Sequence, residues 1–505
     1  VGIDQHQSIQ WRIRLLASGV LGLGLMLGGC SNTGEVVETD APAQSRELPR
    51  TLSSEDALAD FDRMWEIINT THFDPEFNGV DWEAVRDELR PQAAQARNRR
   101  EIRRIMGDAL ERFGQSHFGI IGGAIDDAPV VQEVATDTSS DQVSQSTGEG
   151  NSQEDSFKVD ALFTDDSLTD GTGDGDTGID IRIIDGLAVV TSIREQSPAQ
   201  LAGVQMGWVL TKVRSDLVQD GLERLAESVE GVEFDIYGRR FILDNHLQGP
   251  PGTSIDLTFL DGDDQEIELD IARAPMPGEF VKFGNLPPLS THLDYSRFTT
   301  ISESGQRAEI GVISFNIWMM PIAIKFERAM YELRDVDGLI IDLRGNPGGI
   351  GGLSSSIGRF LLSEKGSLGT MTMRGAELKF NIEPVIVTTW GEPIDPFAGP
   401  IAILTDSGTA STSEVFAGGL QSLGRVEVFG TRSAGMALPA GMDKLPSGDV
   451  LLHAIANFVT STGYQLEHGG VVPNTEVKLT REDLLNGNDT PKQAAIEWIE
   501  HQIAE

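Results

Sequence analysis

The chain of 505 residues contains one cysteine, Cys30, so it has neither an internal disulfide framework nor a cysteine-built metal site. Lysine is scarce: there are nine, none before Lys158. Positive charge is short overall, with 39 Lys and Arg against 78 Asp and Glu, a formal net charge of −39. That balance excludes a general electrostatic grip on nucleic-acid phosphates and disfavours broad attraction to anionic lipid. The apolar run Leu15 to Leu27 has thirteen residues, well short of the roughly 20 of a membrane-spanning helix. No His-Glu-x-x-His or comparable metal-ligand spacing occurs, and no cofactor is expected. What is present suffices for several folded domains: a hydrophobic fraction of 39% builds ordinary cores.

The first thirty residues combine Arg12 and Arg14, the short apolar run, and Leu27-Gly28-Gly29-Cys30. A charged start, a short apolar core and small residues at the cut describe an export signal. The lone cysteine at that spot resembles a bacterial lipoprotein signal. The resemblance implies acylation of Cys30, cleavage before it, and a mature protein outside the cytoplasm, held to a membrane by lipid. Ser31 at the next position implies the outer membrane, in a cell that has one. Residues 31–50 read as a polar spacer.

Residues 51–125 read as a small helical domain. Leu58, Phe61, Met64, Trp65 and Ile68 recur at helical spacing, as do Trp82, Val85 and Leu89, then Ile102, Ile105, Met106, Ala109, Leu110 and Phe113. From 126 to 177 the chain holds fourteen acids and one base among Ser, Thr and Gly, the composition of a flexible acidic linker. Residues 178–275 read as short strands around Ser197-Pro198-Ala199 and Ala202-Gly203-Val204. That order and spacing resembles a PDZ domain of the bacterial protease type, with 215–248 as an insertion. The resemblance implies that an extended or C-terminal peptide segment adds a strand to an exposed edge, or that the domain gates access to a site. Residues 276–505 alternate strands and helices, an α/β pattern in which helices cover a mixed sheet.

Two segments of this last region carry chemistry. The apolar strand Gly338 to Leu343 runs into Arg344-Gly345-Asn346-Pro347-Gly348-Gly349, whose glycines let backbone amides approach a ligand closely. Leu404 to Glu414 places Ser411 on a turn at the head of a helix, where its hydroxyl feels the positive end of the dipole. In this order the two resemble the C-terminal processing (tail-specific) serine protease family. The resemblance implies a crotonase-like catalytic fold, Ser411 as nucleophile, and an oxyanion held by the Thr412 amide with that of Gly348 or Gly349. It implies protein or peptide substrates, unfolded or with exposed C-termini.

One departure stands out. The family's lysine base is expected within Gly430 to Ala437, where Met436 stands, and a thioether takes no proton. Lys444 lies too far along. A serine hydroxyl needs a base, and histidine is the usual one near neutral pH. Ser116-His117 resembles the serine–histidine pair of the tricorn protease branch, and Glu467 before Gly470-Val471-Val472-Pro473 resembles that branch's glutamate. This resemblance implies His117 as the base, with Glu467 and Ser116 supporting it. His468, beside Glu467, is the rival base. Two other readings stay open: a peptide-binding protein whose catalysis has decayed, and a hydrolase of small esters or amides.

Overall fold

The computed structural model describes residues 52–122 and 174–504, apart from 228, 230, 283–287 and 303–304. The export and lipidation segment, Cys30 included, and most of the acidic linker lie outside the described residues. No helix among those described is long and apolar enough to cross a membrane.

Helices α1 (Ser54–Thr71), α2 (Trp82–Ala93) and α3 (Arg99–Leu110) begin at Ser53, Asp81 and Asn98, whose side chains each accept a first-turn N–H. Their apolar faces enclose Phe61, Met64, Ile68, Leu89, Ile102 and Met106. The expected helical domain is not self-contained. Its core takes in Leu438, Leu445, Leu451 and Ala454 from the far end of the chain. Its tail is a strand, β1 (Gly119–Ile121), paired antiparallel with residues 450–452.

The second module is a sheet of β2 (Ile179–Ile184), β3 (Leu187–Ile193), β4 (Val209–Val213), β5 (Ser254–Leu260) and β6 (Glu266–Ala272), joined in that order. Ser197 caps the short α4 (Pro198–Ala202), and Gly203 ends it at φ 88°. The insertion supplies α5 (Val218–Ala226) and α6 (Val232–Ile242). The acidic linker was expected to reach residue 177, but its last residues belong to this module. Gly175–Asp176 pairs with Ala274–Pro275, Arg194 binds Asp176 through two hydrogen bonds, and Thr177 is buried. A guanidinium partner turns that aspartate from a solvated charge into an anchor.

The third module is built on six strands: β7 (Leu293–Ile301), β8 (Arg307–Phe315), β9 (Gly338–Asp342), β12 (Ile401–Thr405), β13 (Glu427–Gly430) and β17 (Thr475–Glu476), in that order. All neighbours are parallel except β7 with β8. Both faces are covered, as the unbroken apolar runs of β9 and β12 require. Helices α7 (Met320–Glu332), α8 (Gly352–Gly358) and α9 (Thr412–Ser422) cover Leu339, Ile341, Ile401 and Ile403. On the other face α10 (Thr490–Ala504) covers Ile340, Ala402 and Leu404 with Ala495 and Ile499. Two strand groups complete the module. One joins β10 (Gly366–Met373) to β11 (Ala376–Ile382) and β16 (Ala456–Thr460); the other joins β14 (Ala440–Lys444) to β15 (Val450–Ala454) and β1.

Candidate active site

Strand β12 is wholly buried and ends in the turn Asp406 to Ala410, after which α9 begins. Ser411 occupies the junction at φ 54°, ψ −118°, a conformation a residue with a side chain rarely adopts. Such a strand–turn–helix elbow presents a hydroxyl at a helix N-terminus. The surroundings over-determine the strain. The Ser411 N–H donates to the Met436 carbonyl and to Glu414 Oε2, each at 2.9 Å. Asp406 Oδ1 accepts the N–H of Gly345 at 2.7 Å and of Gly408 at 2.9 Å. The Ala410 N–H donates to the Asn346 carbonyl at 3.1 Å. The glycine loop and the nucleophile turn are therefore stitched together.

Glu414, fully buried in the first turn of α9, was not singled out from the sequence. It also accepts from Ser433 Oγ at 2.6 Å, Gly435 N at 2.7 Å and Met436 N at 3.0 Å. Burial pushes its carboxyl up to about 7, while these donors favour the charged form.

The glycine loop passes against the serine. A Cβ built on Gly348 would stand 2.7 Å from Ser411 Cβ and 2.9 Å from Thr412 N. Of the two expected glycines, Gly348 already donates its N–H to Asn346 Oδ1 at 3.0 Å. Among the described residues, the N–H groups of Gly349 and Thr412 donate to no protein acceptor. Thr412 Oγ1 donates to the Gly349 carbonyl at 2.8 Å and so ties these two residues together. Trp318 and Asn346 brace the loop and carried no recognisable signal. The Trp318 N–H donates to the Gly348 carbonyl at 2.8 Å, and its indole N–H to Ser413 Oγ at 2.8 Å. Asn346 Nδ2 donates to the Phe315 carbonyl at 2.8 Å.

His117 lies in the loop after α3. Gly114 turns the chain at φ 58°, and the rings of Phe113 and Phe118 stack at 4.7 Å with His72 against both. This aromatic stack pins the loop at either end. Glu467 Oε1 accepts the Ser116 N–H at 2.8 Å, and Glu467 Oε2 accepts from Ser116 Oγ at 2.9 Å and from the Ala437 N–H at 3.0 Å. Ser116 Oγ lies 2.7 Å from His117 Nδ1. Ser116 Oγ donates its one proton to Glu467, so its oxygen receives Nδ1–H. That assigns the tautomer: Nε2 carries the lone pair. Nε2 is buried and makes no hydrogen bond among the described residues. Burial alone pushes the imidazole down to about 3, so it is neutral at physiological pH.

The structure thus brings Ser116, His117 and Glu467 into one hydrogen-bonded chain, joined to Ser411 through the Met436–Ala437 peptide, and makes no bond between Ser411 and His117. The rival, His468, is 40% exposed, with Nε2 3.9 Å from Glu467 Oε1. Lys444 is exposed at the end of β14.

Residues 309–477 match the family model described as Peptidase family S41, and residues 53–111 match that of the Tricorn protease C1 domain. Residues 309–477 are thus similar to an S41 peptidase domain. A carboxyl-terminal-processing peptidase of Arabidopsis thaliana chloroplasts is 24% identical over 299 residues, 58% of this chain and 50% of that protein. A carboxyl-terminal-processing protease of Synechocystis is 25% identical over 266 residues, 51% of this chain and 56% of that protein. The matches thus span about half the length of these curated relatives. The structure of mature CPAF complexed with lactacystin superposes on 89% of this chain and 99% of its own, with a TM-score of 0.54 and 12% identity. The S41 match runs from β8 to β17, and the C1 match covers α1 to α3.

Proposed function

We propose that this protein is an exported, lipid-anchored serine peptidase that cleaves protein or peptide chains through an acyl-enzyme. The supporting observation is the chain Glu467–Ser116–His117, which leaves the imidazole with an unprotonated, unpartnered Nε2 and is tied to the strained Ser411 turn through the Met436–Ala437 peptide. In this reading Nε2 takes the Ser411 proton as Oγ attacks the scissile carbonyl. The amides of Gly349 and Thr412 hold the oxyanion. The C–N bond then breaks, the leaving amine takes the proton from His117, and water, deprotonated by the same nitrogen, releases the acyl group. Glu467, through Ser116, holds the base in the working tautomer. The third module is the crotonase-like catalytic core, the second a PDZ-like module, and Cys30 the site of the lipid.

A second reading, a peptide-binding protein without turnover, draws on the unmade bond between Ser411 and His117. Such bonds commonly tighten only when substrate is present.

Labelling by a fluorophosphonate separates the two. Wild type should label, and Ser411→Ala and His117→Ala should not. Folded wild type that stays unlabelled with or without added peptide would sink the peptidase reading. Labelling lost in His468→Ala but kept in His117→Ala would move the base to His468.

A further inference from the structure

The sheet of the second module has two edge strands, β6, which pairs with β5 alone, and β2, which pairs with β3 alone and is the one packed against α6. An extended peptide binding by strand addition would lie along such an edge. The β2 edge is already occupied. Along β2 the residues alternate, with Ile179, Ile181 and Ile183 buried in the core and Asp180, Arg182 and Ile184 on the other face. Helix α6 touches both sets. A Cβ built on its Gly238 would meet Ile183 Cγ1 at 2.8 Å and Leu222 Cδ2 of α5 at 3.1 Å. At the next residue, Arg239 Nη2 donates to Asp180 Oδ1 at 2.8 Å. Successive strand residues point to opposite faces, so a helix that reaches both faces of an edge strand lies across its edge. Phe241 and Ile242 complete the filling: both are buried in the module's core, and a Cβ on Gly221 of α5 would meet the Phe241 ring at 2.5 Å. The space between β2 and α5 is full of the chain's own side chains.

The same helix reaches the nucleophile turn. Asp235, in its first turn, hydrogen-bonds Ser407, four residues before Ser411. Asp180, gripped by Arg239, also pairs with Arg182, whose Nε donates to Asp406 Oδ2 at 2.7 Å. Asp406 is the residue that joins the glycine loop to the nucleophile turn.

We infer that α6 is an intramolecular ligand of the PDZ-like module: it fills the place of an added peptide strand and fixes the module to the nucleophile turn. The inference rests on the PDZ-like and peptidase readings above. It makes docking of the module independent of any free C-terminus, so that cleavage selects extended chain rather than chain ends.

Peptide binding tests this without requiring turnover. Fluorescent decapeptides ending in apolar residues, with a free or an amidated carboxyl end, are titrated against the full chain carrying Ser411→Ala and followed by anisotropy. Equal, unsaturable binding of both is expected up to about 100 μM, weaker than about −5.5 kcal/mol. Phe241→Ala with Ile242→Ala should loosen α6 and strengthen binding of the free-carboxyl peptide at least tenfold. Hydrogen exchange of the otherwise unaltered chain keeps the inference open to refutation if that variant does not fold. Residues 232–242 should exchange at the same rate with and without peptide. Tighter binding of the free-carboxyl peptide to unaltered α6, or its faster exchange on peptide addition, overturns the inference. Failure to cleave any substrate with these binding results intact would instead remove only the peptidase reading.

Discussion

Ser411 and Glu467 are held from opposite ends of one peptide group. The Met436 carbonyl accepts the Ser411 N–H at 2.9 Å, and the adjoining Ala437 N–H donates to Glu467 Oε2 at 3.0 Å. The proposed nucleophile and the carboxylate proposed to orient its base therefore share a rigid, planar spacer. The segment that in related proteases is expected to bring a lysine instead brings main-chain hydrogen bonds.

Ser116 is a positioning residue on this reading. Ser116→Ala removes the bridge between Glu467 and His117 and should lower kcat by about 10- to 100-fold with little change in KM. Ser116→Thr keeps a hydroxyl and should recover most of the loss. Steady-state cleavage of an unfolded fluorescent substrate by the three proteins reads this. Equal kcat in all three would remove Ser116 from the mechanism.

Acid should weaken the fold through His117. The unfolded imidazole binds a proton near pH 6.5, whereas the buried one resists until about 3. Below pH 6.5 the unfolded state therefore holds more protons, and stability falls by up to about 1.4 kcal/mol per pH unit from this group. His117→Asn, which tolerates the positive φ of 65°, should flatten that fall. Urea midpoints at pH 7.5 and 5.5 measure it, and parallel slopes would contradict the assignment.

Gly348 has no room for a methyl group. Gly348→Ala, at φ 97° and with its Cβ 2.7 Å from Ser411 Cβ, should cost about 1–3 kcal/mol of stability. Its larger effect should be on the site, with fluorophosphonate labelling slowed by about 10²-fold or more. Thermal unfolding and labelling rate, measured on one preparation, separate the two effects.

Asp406 couples the second module to the nucleophile turn. Asp406→Asn leaves Arg182 without its charge partner there and should cost about 2–3 kcal/mol. That is below the figure for a fully buried pair, because the side chains of Arg182 and Asp406 keep 17% and 16% of their surface. Loss of labelling activity should accompany it even where the protein remains folded. Unchanged labelling would show that the two modules work independently.

Periodicity revealed the parts whose burial is one-sided or complete. The apolar spacing of helix Thr490–Ala504 and the apolar run of strand Ile401–Thr405 report the sheet they build. Strand Leu293–Ile301 escaped, since as an edge strand it is largely exposed and shows no apolar run. The joining of the helical region to β14 and β15 escaped as well, because Leu438 and Leu451 meet α1 to α3 only after more than three hundred residues of chain. The candidates Ser411, His117 and Glu467 come from family motifs rather than from spacing. The choice of Gly349 over Gly348 hangs on where Asn346 Oδ1 points, which no pattern of residue types encodes. The role of α6 depended on which edge of which strand it covers, again a matter of packing alone.

The distance between Ser116 and Glu467, 351 residues along the chain, has a consequence for biosynthesis. A nascent chain acquires His117 early and Ser411 much later, and the carboxylate that orders the pair last. Until Glu467 has emerged and β1 has found β15, the growing polypeptide holds a serine without a working base. On the proposed mechanism, hydrolytic power is thereby deferred until the half-folded stretches are already packed away.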